Sequence, residues 1–522
     1  MQRNPSRREF IQLASIAAGS ALISPSRSFA SAAQPQSQPA DYTLHIEASA
    51  IEIAPKRIVS AITYNGQFPG PLLCFNEGQP VIVDVFNDTD TPEQLHWHGQ
   101  LVPVDIDGAA EEGTPYIPAH GMRRLNFVPN PSGLRFYHTH NRAGANLAAG
   151  QYSGQVGPVY IEPKSSPGDH DREVFLTLKE FEPTFSRGGD MDMKFLAPVV
   201  RDNSLESVGE AAMKGSLAKG MPRGFEVGYN AFTINGRMLG YGGPIRVKSG
   251  ERVLFHILNG SATEIRSLAL PGHTFEVIAL DGNLVPNRAK VPVLWLGTGE
   301  RISALVTMNH PGVWILGDTD DDDRHHGMGI VVEYAHQKSK PLWTTPPPFK
   351  WNYTRFAKST VAGSASSDAP DETINMLFAK QNAAHEGFNL WTINGVAFPM
   401  QQSCGTAIPG CASSNGSTPE HDSDKFVPVG VFPAKLTHGR RYRIRLRNQS
   451  DDIHPIHLHR HTFELTKIAG IPLAGVMKDV LMLGGYQEAE IDFIANNPGL
   501  SLFHCHQQLH MDFGFMTVFD YA

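Results

Sequence analysis

Four His-x-His pairs punctuate the chain: His96-Trp97-His98, His138-Thr139-His140, His457-Leu458-His459 and His504-Cys505-His506. Residues i and i+2 of an extended strand project to the same side, so each pair aims two imidazoles at one place. Imidazole is a ligand for copper, zinc, iron or nickel. A single pair would be weak evidence, because surface and core histidines recur by chance. Four pairs at matched positions of a repeat are not explained that way. Cys505 lies inside the last pair, and His454 and His510 flank it more widely. Two histidines with one cysteine form the trigonal set of a blue-copper electron-transfer centre. Cys505 is therefore expected as a thiolate, with His454 and His510 as its partners. His504 and His506 then face the opposite side of the strand, and the tripeptide wires a one-electron acceptor to a multi-metal centre.

The elements that must position these residues are legible as a threefold repeat. Pro71, Gly78, Val81, Val83, Val85 and Asn87 match Pro244, Gly250, Val253, Phe255, Ile257 and Asn259, and again Pro433, Gly439, Tyr442, Ile444, Leu446 and Asn448. The period-two alternation predicts a strand with one buried face in each copy. Recurrence at intervals of roughly 170–190 residues means three copies of a domain and not a solenoid. Each copy also ends on a strand-like run after a glycine: Gly133–Tyr137, Gly312–Leu316 and Gly499–Phe503. Nine residues past the repeat Asn lie His96-Trp97-His98, Leu268-Ala269-Leu270 and His457-Leu458-His459. Five past the late Gly lie His138-Thr139-His140, Gly317-Asp318-Thr319 and His504-Cys505-His506. The first and third units thus carry the histidines, and the second is expected mainly to space them. An all-β chain of three sandwich domains is predicted, each of about seven to nine strands, over 41–165, 166–340 and 371–522, with a Pro/Ser/Gly-rich linker at 341–370.

The motifs HWHG (96–99), HTH (138–140), HPIHLH (454–459) and HCHQQLHMDFGF (504–515) resemble those of the multicopper oxidases, and the whole is similar to laccase-like, three-domain bacterial members. The resemblance covers nearly the whole mature chain. It implies cupredoxin-like Greek-key domains and four copper ions. His96 and His457 would hold the type 2 ion. His98, His138 and His506 would hold one type 3 ion, and His140, His459 and His504 the other. His454, Cys505 and His510 would hold the type 1 ion. The axial position of that ion corresponds to Phe515, which cannot ligate, so a three-coordinate site of raised potential is expected. Met516, next to it, should face the core. Asp107 matches the acid that lies near the type 2 ion in relatives and is expected to donate protons or anchor hydrogen bonds there. Where many bacterial relatives carry a Glu after the last type 1 histidine, this chain has Met511, followed by Asp512.

Composition bounds the remaining possibilities. The 522 residues carry a formal charge of −8. Setting aside the N-terminal Arg3, Arg7, Arg8, Arg27 and Glu9 leaves 40 basic against 51 acidic residues. An acidic body without a basic run gives no electrostatic reason to expect nucleic acid or an anionic membrane as partner. Ser6-Arg7-Arg8-Glu9-Phe10-Ile11, the apolar Ile11–Ile23 and small residues around Ala30 and Ala32 are in the order of a twin-arginine signal, placed at 1–32. No other stretch reaches membrane-spanning length. Of the four cysteines, Cys404 and Cys411 close a Gly/Ser/Pro-rich loop at a spacing compatible with a disulfide, Cys74 is expected as a small buried hydrophobe, and Cys505 is the ligand. Asp320–Asp323 with His325 and His326 is expected as a solvated turn. Met191, Met193, Met213 and Met221 are too sparse for a copper-binding segment, His461 should turn away from the cluster, and His273 should be structural.

The function expected is that of a laccase-like oxidase, a periplasmic or secreted monomer. It couples one-electron oxidation of phenols or aromatic amines, docked near an exposed edge of His510, to the four-electron reduction of O₂ to water. A metallo-oxidase acting on Cu(I), Fe(II) or Mn(II) would need a carboxylate or Met cluster near His510. A non-enzymatic periplasmic protein of the same fold is disfavoured by the complete set of eleven ligands, and a copper nitrite reductase by the three-unit repeat.

Overall fold

In the computed structural model, the described residues are 38–164, 170–186, 203–218, 223–358, 369–400 and 434–522. The expected signal segment, Cys404, Cys411, Met191, Met193 and Met221 lie outside them. Residues Ala40–Ala522 fold as one unit.

The repeat strands form as their alternation requires. Val81–Asn87, Arg252–Asn259 and Arg441–Asn448 each lie inside a sheet. Each pairs in parallel with the strand that opens its own unit: Leu44 faces Val85, Leu176 faces Ile257, and Met376 faces Leu446. The repeat asparagine has a structural job in all three copies. Its side-chain amide donates to carbonyls of the loop that follows and of a second chain segment: Thr91 and Ile117 from Asn87, Glu264 and Leu296 from Asn259, Asp452 and Gly484 from Asn448. A buried amide fully used in this way fixes where the chain leaves one sheet for the other.

Each unit packs one sheet against another. The first has two four-stranded sheets, and the second and third each pair a six-stranded with a five-stranded sheet. The three cupredoxin-like β-sandwiches number eight, eleven and eleven strands among the described residues, more than the seven to nine expected in the last two. Part of the excess arises because one strand divides as it crosses between sheets. In the second unit Asn283–Val291 passes through Pro292 into Val293–Leu296, and in the third Ile471–Lys478 passes through Asp479 into Val480–Leu483. Leu44, Val83, Val85, Trp97 and Leu125 fill the first core, while the second and third units share a continuous apolar cluster. Burial of this kind contributes roughly 25 cal/mol per Å² and dominates the stability of such sandwiches.

Two expectations change. Cys74 is exposed, because the short strand Leu73–Asn76 places Leu73 and Phe75 inward and Cys74 outward. Asp321–His325 is a short helix and not a turn. Asp320 caps it by accepting from the amides of Asp322 and Asp323, and the Asp323 carboxylate binds the buried Arg266. Asn203–Ala218, the part of the polar insertion that carries Met213, is a helix.

Candidate metal centre

Cross-strand register brings the histidine pairs together. His96 stands opposite His138 on the strands His96–His98 and Gly133–His138, and His457 stands opposite His504 on His454–Leu458 and Ser501–Cys505. In the middle unit the counterparts by spacing, Leu268 and Gly317, are one residue out of register, Leu268 facing Asp318 and Ala269 facing Gly317. The first and third units meet so that their eight imidazoles converge. His98, His138 and His506 form one group whose ring nitrogens lie within 4.8 Å of one another, His140, His459 and His504 a second, and His96, His98 and His457 a third.

All eight rings are buried, and most are anchored by one nitrogen. Nδ1 donates to a backbone carbonyl in His138 (Thr139, 2.8 Å), His457 (Asp479, 2.7 Å), His504 (Cys505, 2.8 Å) and His96 (Asp107, 2.9 Å). His459 Nδ1 lies 2.9 Å from Asp107 Oδ2. Among the described residues the opposite nitrogens, Nε2 of His96, His138 and His457, have no hydrogen-bond partner although they are buried, and neither nitrogen of His140 has one. Orphaned buried polar atoms are rare in folded proteins. Here they share a face and carry lone pairs, which is what a cluster of metal ions requires. Burial, and then the neighbouring rings, hold His138, His457, His459 and His504 well below the ordinary histidine range, so they are neutral and able to ligate.

The second set lies on the other side of the strand Ser501–Cys505. Cys505 Sγ is 3.5 Å from His510 Nδ1 and 3.7 Å from His454 Nδ1, and the two nitrogens are 3.2 Å apart. Burial pushes the Cys505 thiol well up, so only a bound cation would hold it as thiolate. His454 Nε2 is tied to Ser450 Oγ at 2.8 Å, leaving Nδ1 to face the sulfur. Phe515 is buried with its ring centroid 4.7 Å from that of His454. Met516 faces the core with Leu502 and Met511. The sequence places an exposed edge on His510, and the structure corrects this: only 1% of His510 is accessible, and the Trp391 ring covers it at 4.2 Å.

Asp107 is where the sequence puts it, at the end of the short helix Val104–Asp107, with Oδ2 3.1 Å from His96 Nδ1 as well as near His459. Glu112 and Glu111 were not singled out from the sequence. Glu112 Oε1 accepts from the Leu502 amide at 2.5 Å and lies 3.5 Å from His459 Nδ1. Burial first, and then the Asp107 carboxylate, push Glu112 well above the ordinary carboxylate range. Glu111 Oε2 is 3.7 Å from His140 Nδ1. The only local signal for either is an acidic pair four and five residues beyond Asp107. Asp512 is elsewhere: its Oδ2 accepts from the amides of Ala143 and Gly144 and braces the first unit against the third. His461 bonds Tyr521 and the His459 carbonyl, and His273 bonds Tyr334 and the Pro271 carbonyl, so both are structural.

Three sequence models described as multicopper oxidase match residues 45–166, 206–335 and 412–522. The chain is 26% identical over 472 residues to the multicopper oxidase MmcO of Mycobacterium tuberculosis, covering 89% of this chain and 84% of that one. By fold it is similar to Fet3p, a multicopper oxidase that functions in iron import (TM-score 0.67, 19% identity, 92% and 90% of the two chains), and to the laccase of Botrytis aclada (TM-score 0.66, 20% identity, 92% and 87%). With the family matched in all three units and a copper-fitting cluster between the outer two, the chain belongs to the multicopper oxidase family and is an oxidoreductase that uses copper and O₂.

Proposed function

We propose that this enzyme is a laccase-like oxidase of phenols or aromatic amines, exported by the twin-arginine route and acting as a monomer, with domain limits near 41–165, 166–340 and 371–522. The observation that carries the reading is the convergence of eight buried histidines, with unpartnered ring nitrogens, one residue from the Cys505 set. His454, Cys505 and His510 would hold a type 1 copper and His96 and His457 a type 2 copper. His98, His138 and His506 would hold one type 3 copper, and His140, His459 and His504 the other. When bound, these four ions supply one-electron acceptance and the reduction of O₂ to water.

The rest falls to the chain. Cys505 is joined by peptide bonds to His504 and His506, so the two ligand sets share one covalent segment. Phe515 packs against His454 and Trp391 and offers no donor atom to an ion that His454, Cys505 and His510 would hold. O₂ reduction consumes four protons. Asp107 Oδ2 lies against His96 and His459, and Glu112 Oε1 lies 3.5 Å from His459 Nδ1, so these two buried carboxyls are the groups placed to carry protons to the centre. Trp391 seals His510 from water, so the reductant donates across this indole instead of touching the imidazole. Lys380 Nζ sits 5.6 Å over Trp391 and binds Asp451 and Asp452 at 2.6 and 2.5 Å. One ammonium offsets only one of these two carboxylates, so this group does not by itself decide between a phenol and Cu(I) or Fe(II), and the choice falls to a direct comparison of reductants.

The test is O₂ uptake by the purified, copper-loaded enzyme with a phenol, Cu(I) and Fe(II) as separate reductants. Faster uptake with the phenol is expected. Uptake with the metal ions alone would make the enzyme a metallo-oxidase.

A further inference from the structure

The middle unit holds none of the eleven ligand residues, yet its chain reaches the histidine centre. Arg301, which opens the strand Arg301–Thr307 of that unit, donates from Nη1 and Nη2 to Asp479 Oδ1 and Oδ2 at 2.5 and 2.6 Å. Arg135, from the first-unit strand that carries His138, adds a bond to Oδ2 at 3.1 Å. Asp479 belongs to the third unit and is the single residue at which the chain crosses from one sheet to the other. All three side chains are fully buried. The carboxylate is also the partner of a ligand ring, for His98 Nε2 lies 3.2 Å from its Oδ1. The Asp479 backbone carbonyl holds His457, whose ring stacks on His98 with centroids 3.8 Å apart.

This sets His98 apart. The rings of His96, His138, His457, His459 and His504 are anchored at Nδ1. His98 is anchored at Nε2 and presents Nδ1, 3.2 Å from His506 Nε2. A carboxylate that accepts from one ring nitrogen fixes the proton there and leaves the lone pair on the other. Gly99, which closes the HWHG motif, has its explanation in the same place. A Cβ on it would lie 2.6 Å from both Arg301 Nη2 and Asp479 Oδ2, so the motif glycine makes room for this ion pair directly behind His98.

We infer that Asp479 is a positioning residue for the histidine centre, and that through Arg301 and Arg135 the docking of all three units sets the tautomer and orientation of His98. The inference rests on the copper reading above for its consequence, but its geometry can be read without copper. The neighbouring network gives a control. Asp281 Oδ2 binds Lys478 Nζ at 2.8 Å and accepts from the Asp479 and Val480 amides, and among the described residues its carboxylate bonds no histidine.

The experiment compares Asp479→Asn, Asp281→Asn and wild type as full chains, with far-UV circular dichroism to verify folding. In the copper-free proteins, ¹⁵N-histidine NMR reads the tautomer of His98. Wild type and Asp281→Asn should show the proton on Nε2, and Asp479→Asn should lose that state. After copper loading, Asp479→Asn should bind copper at the histidine centre about 10–100-fold more weakly, with an altered EPR signal of the non-blue copper and an unchanged blue band. Asp281→Asn should lower the melting temperature and leave that EPR signal alone. An unchanged His98 tautomer in folded Asp479→Asn, or equal effects of the two variants on tautomer and EPR, would overturn the inference and leave the network as a docking device only. If wild type showed no copper at the histidines, the copper reading would fall while the NMR result still decided the role of Asp479. Should Asp479→Asn not fold, Gly99→Ala, which wedges the ion pair from behind, is predicted to disturb the same tautomer.

Discussion

At the residue scale, chemistry is decided by which atom of each side chain is left over once the protein has used the rest. His138 spends Nδ1 on its neighbour's carbonyl and keeps Nε2, and His454 spends Nε2 on Ser450 and keeps Nδ1. Phe515 is informative because it offers nothing: it packs on Trp391, Phe378 and His454 where a donor atom could stand. Met is close enough in volume and flexible enough to occupy this cavity without unfolding the domain. Phe515→Met is therefore expected to retain the fold and to lower the type 1 potential, because a thioether would favour the oxidised ion. Redox titration of the blue band reads this, and an unchanged potential would show that Phe515 is not axial.

At the element scale, the site depends on short segments held at fixed register. The helix Val104–Asp107 ends on Gly108, whose φ of 93° is in the left-handed region. A Cβ there would lie 1.8 Å from the Leu95 carbonyl oxygen, immediately before His96. Gly108→Ala must push this turn away from the strand His96–His98 and with it the Asp107 carboxylate. The expected cost is at least about 2 kcal/mol, seen as a lower melting temperature, with weakened copper binding at the histidine centre. An alanine variant with wild-type stability and copper content would mean that the turn is not rigid. These elements were the legible part of the sequence. Period-two alternation and a fixed Gly-to-Asn spacing are local properties of one strand, and they predicted which histidines share a face. Cys74 was misjudged because strand Leu73–Asn76 is only four residues long, too short for the alternation to set its parity.

At the scale of the whole molecule, partners separated by hundreds of residues decide what no local pattern can. Asp479 meets His98 across 381 positions, Glu112 meets Leu502 across 390, and Trp391 covers His510 from a separate hairpin. Little in their sequence neighbourhoods distinguishes these residues, which is why the histidine pairs were legible and the groups that pack behind them were not. Buried carboxyls have a global consequence. Glu93, behind the His138–His140 segment, accepts from Asn141 and Gln155 at 2.9 and 3.1 Å. Burial raises its pKa from 4.5 to about 7. The folded state then binds the proton more tightly than the unfolded one, so this group's stabilising effect is full below the unfolded value and lost as pH rises through about 7. The loss is about 3 kcal/mol between the two values. Denaturant midpoints measured at pH 5 and pH 8 should therefore differ less in Glu93→Gln than in wild type, and equal differences would mean that Glu93 is ionised throughout.

The two ligand sets, joined through one tripeptide, are tested most directly by counting copper in wild type and in Cys505→Ser. Wild type should bind four ions per chain and show an intense blue band. The variant should bind three, lose the band and all turnover, and keep the EPR signal of the non-blue copper. A blue or active Cys505→Ser protein, or one with the same copper count as wild type, would contradict the assignment of Cys505 and of the path it provides to His504 and His506.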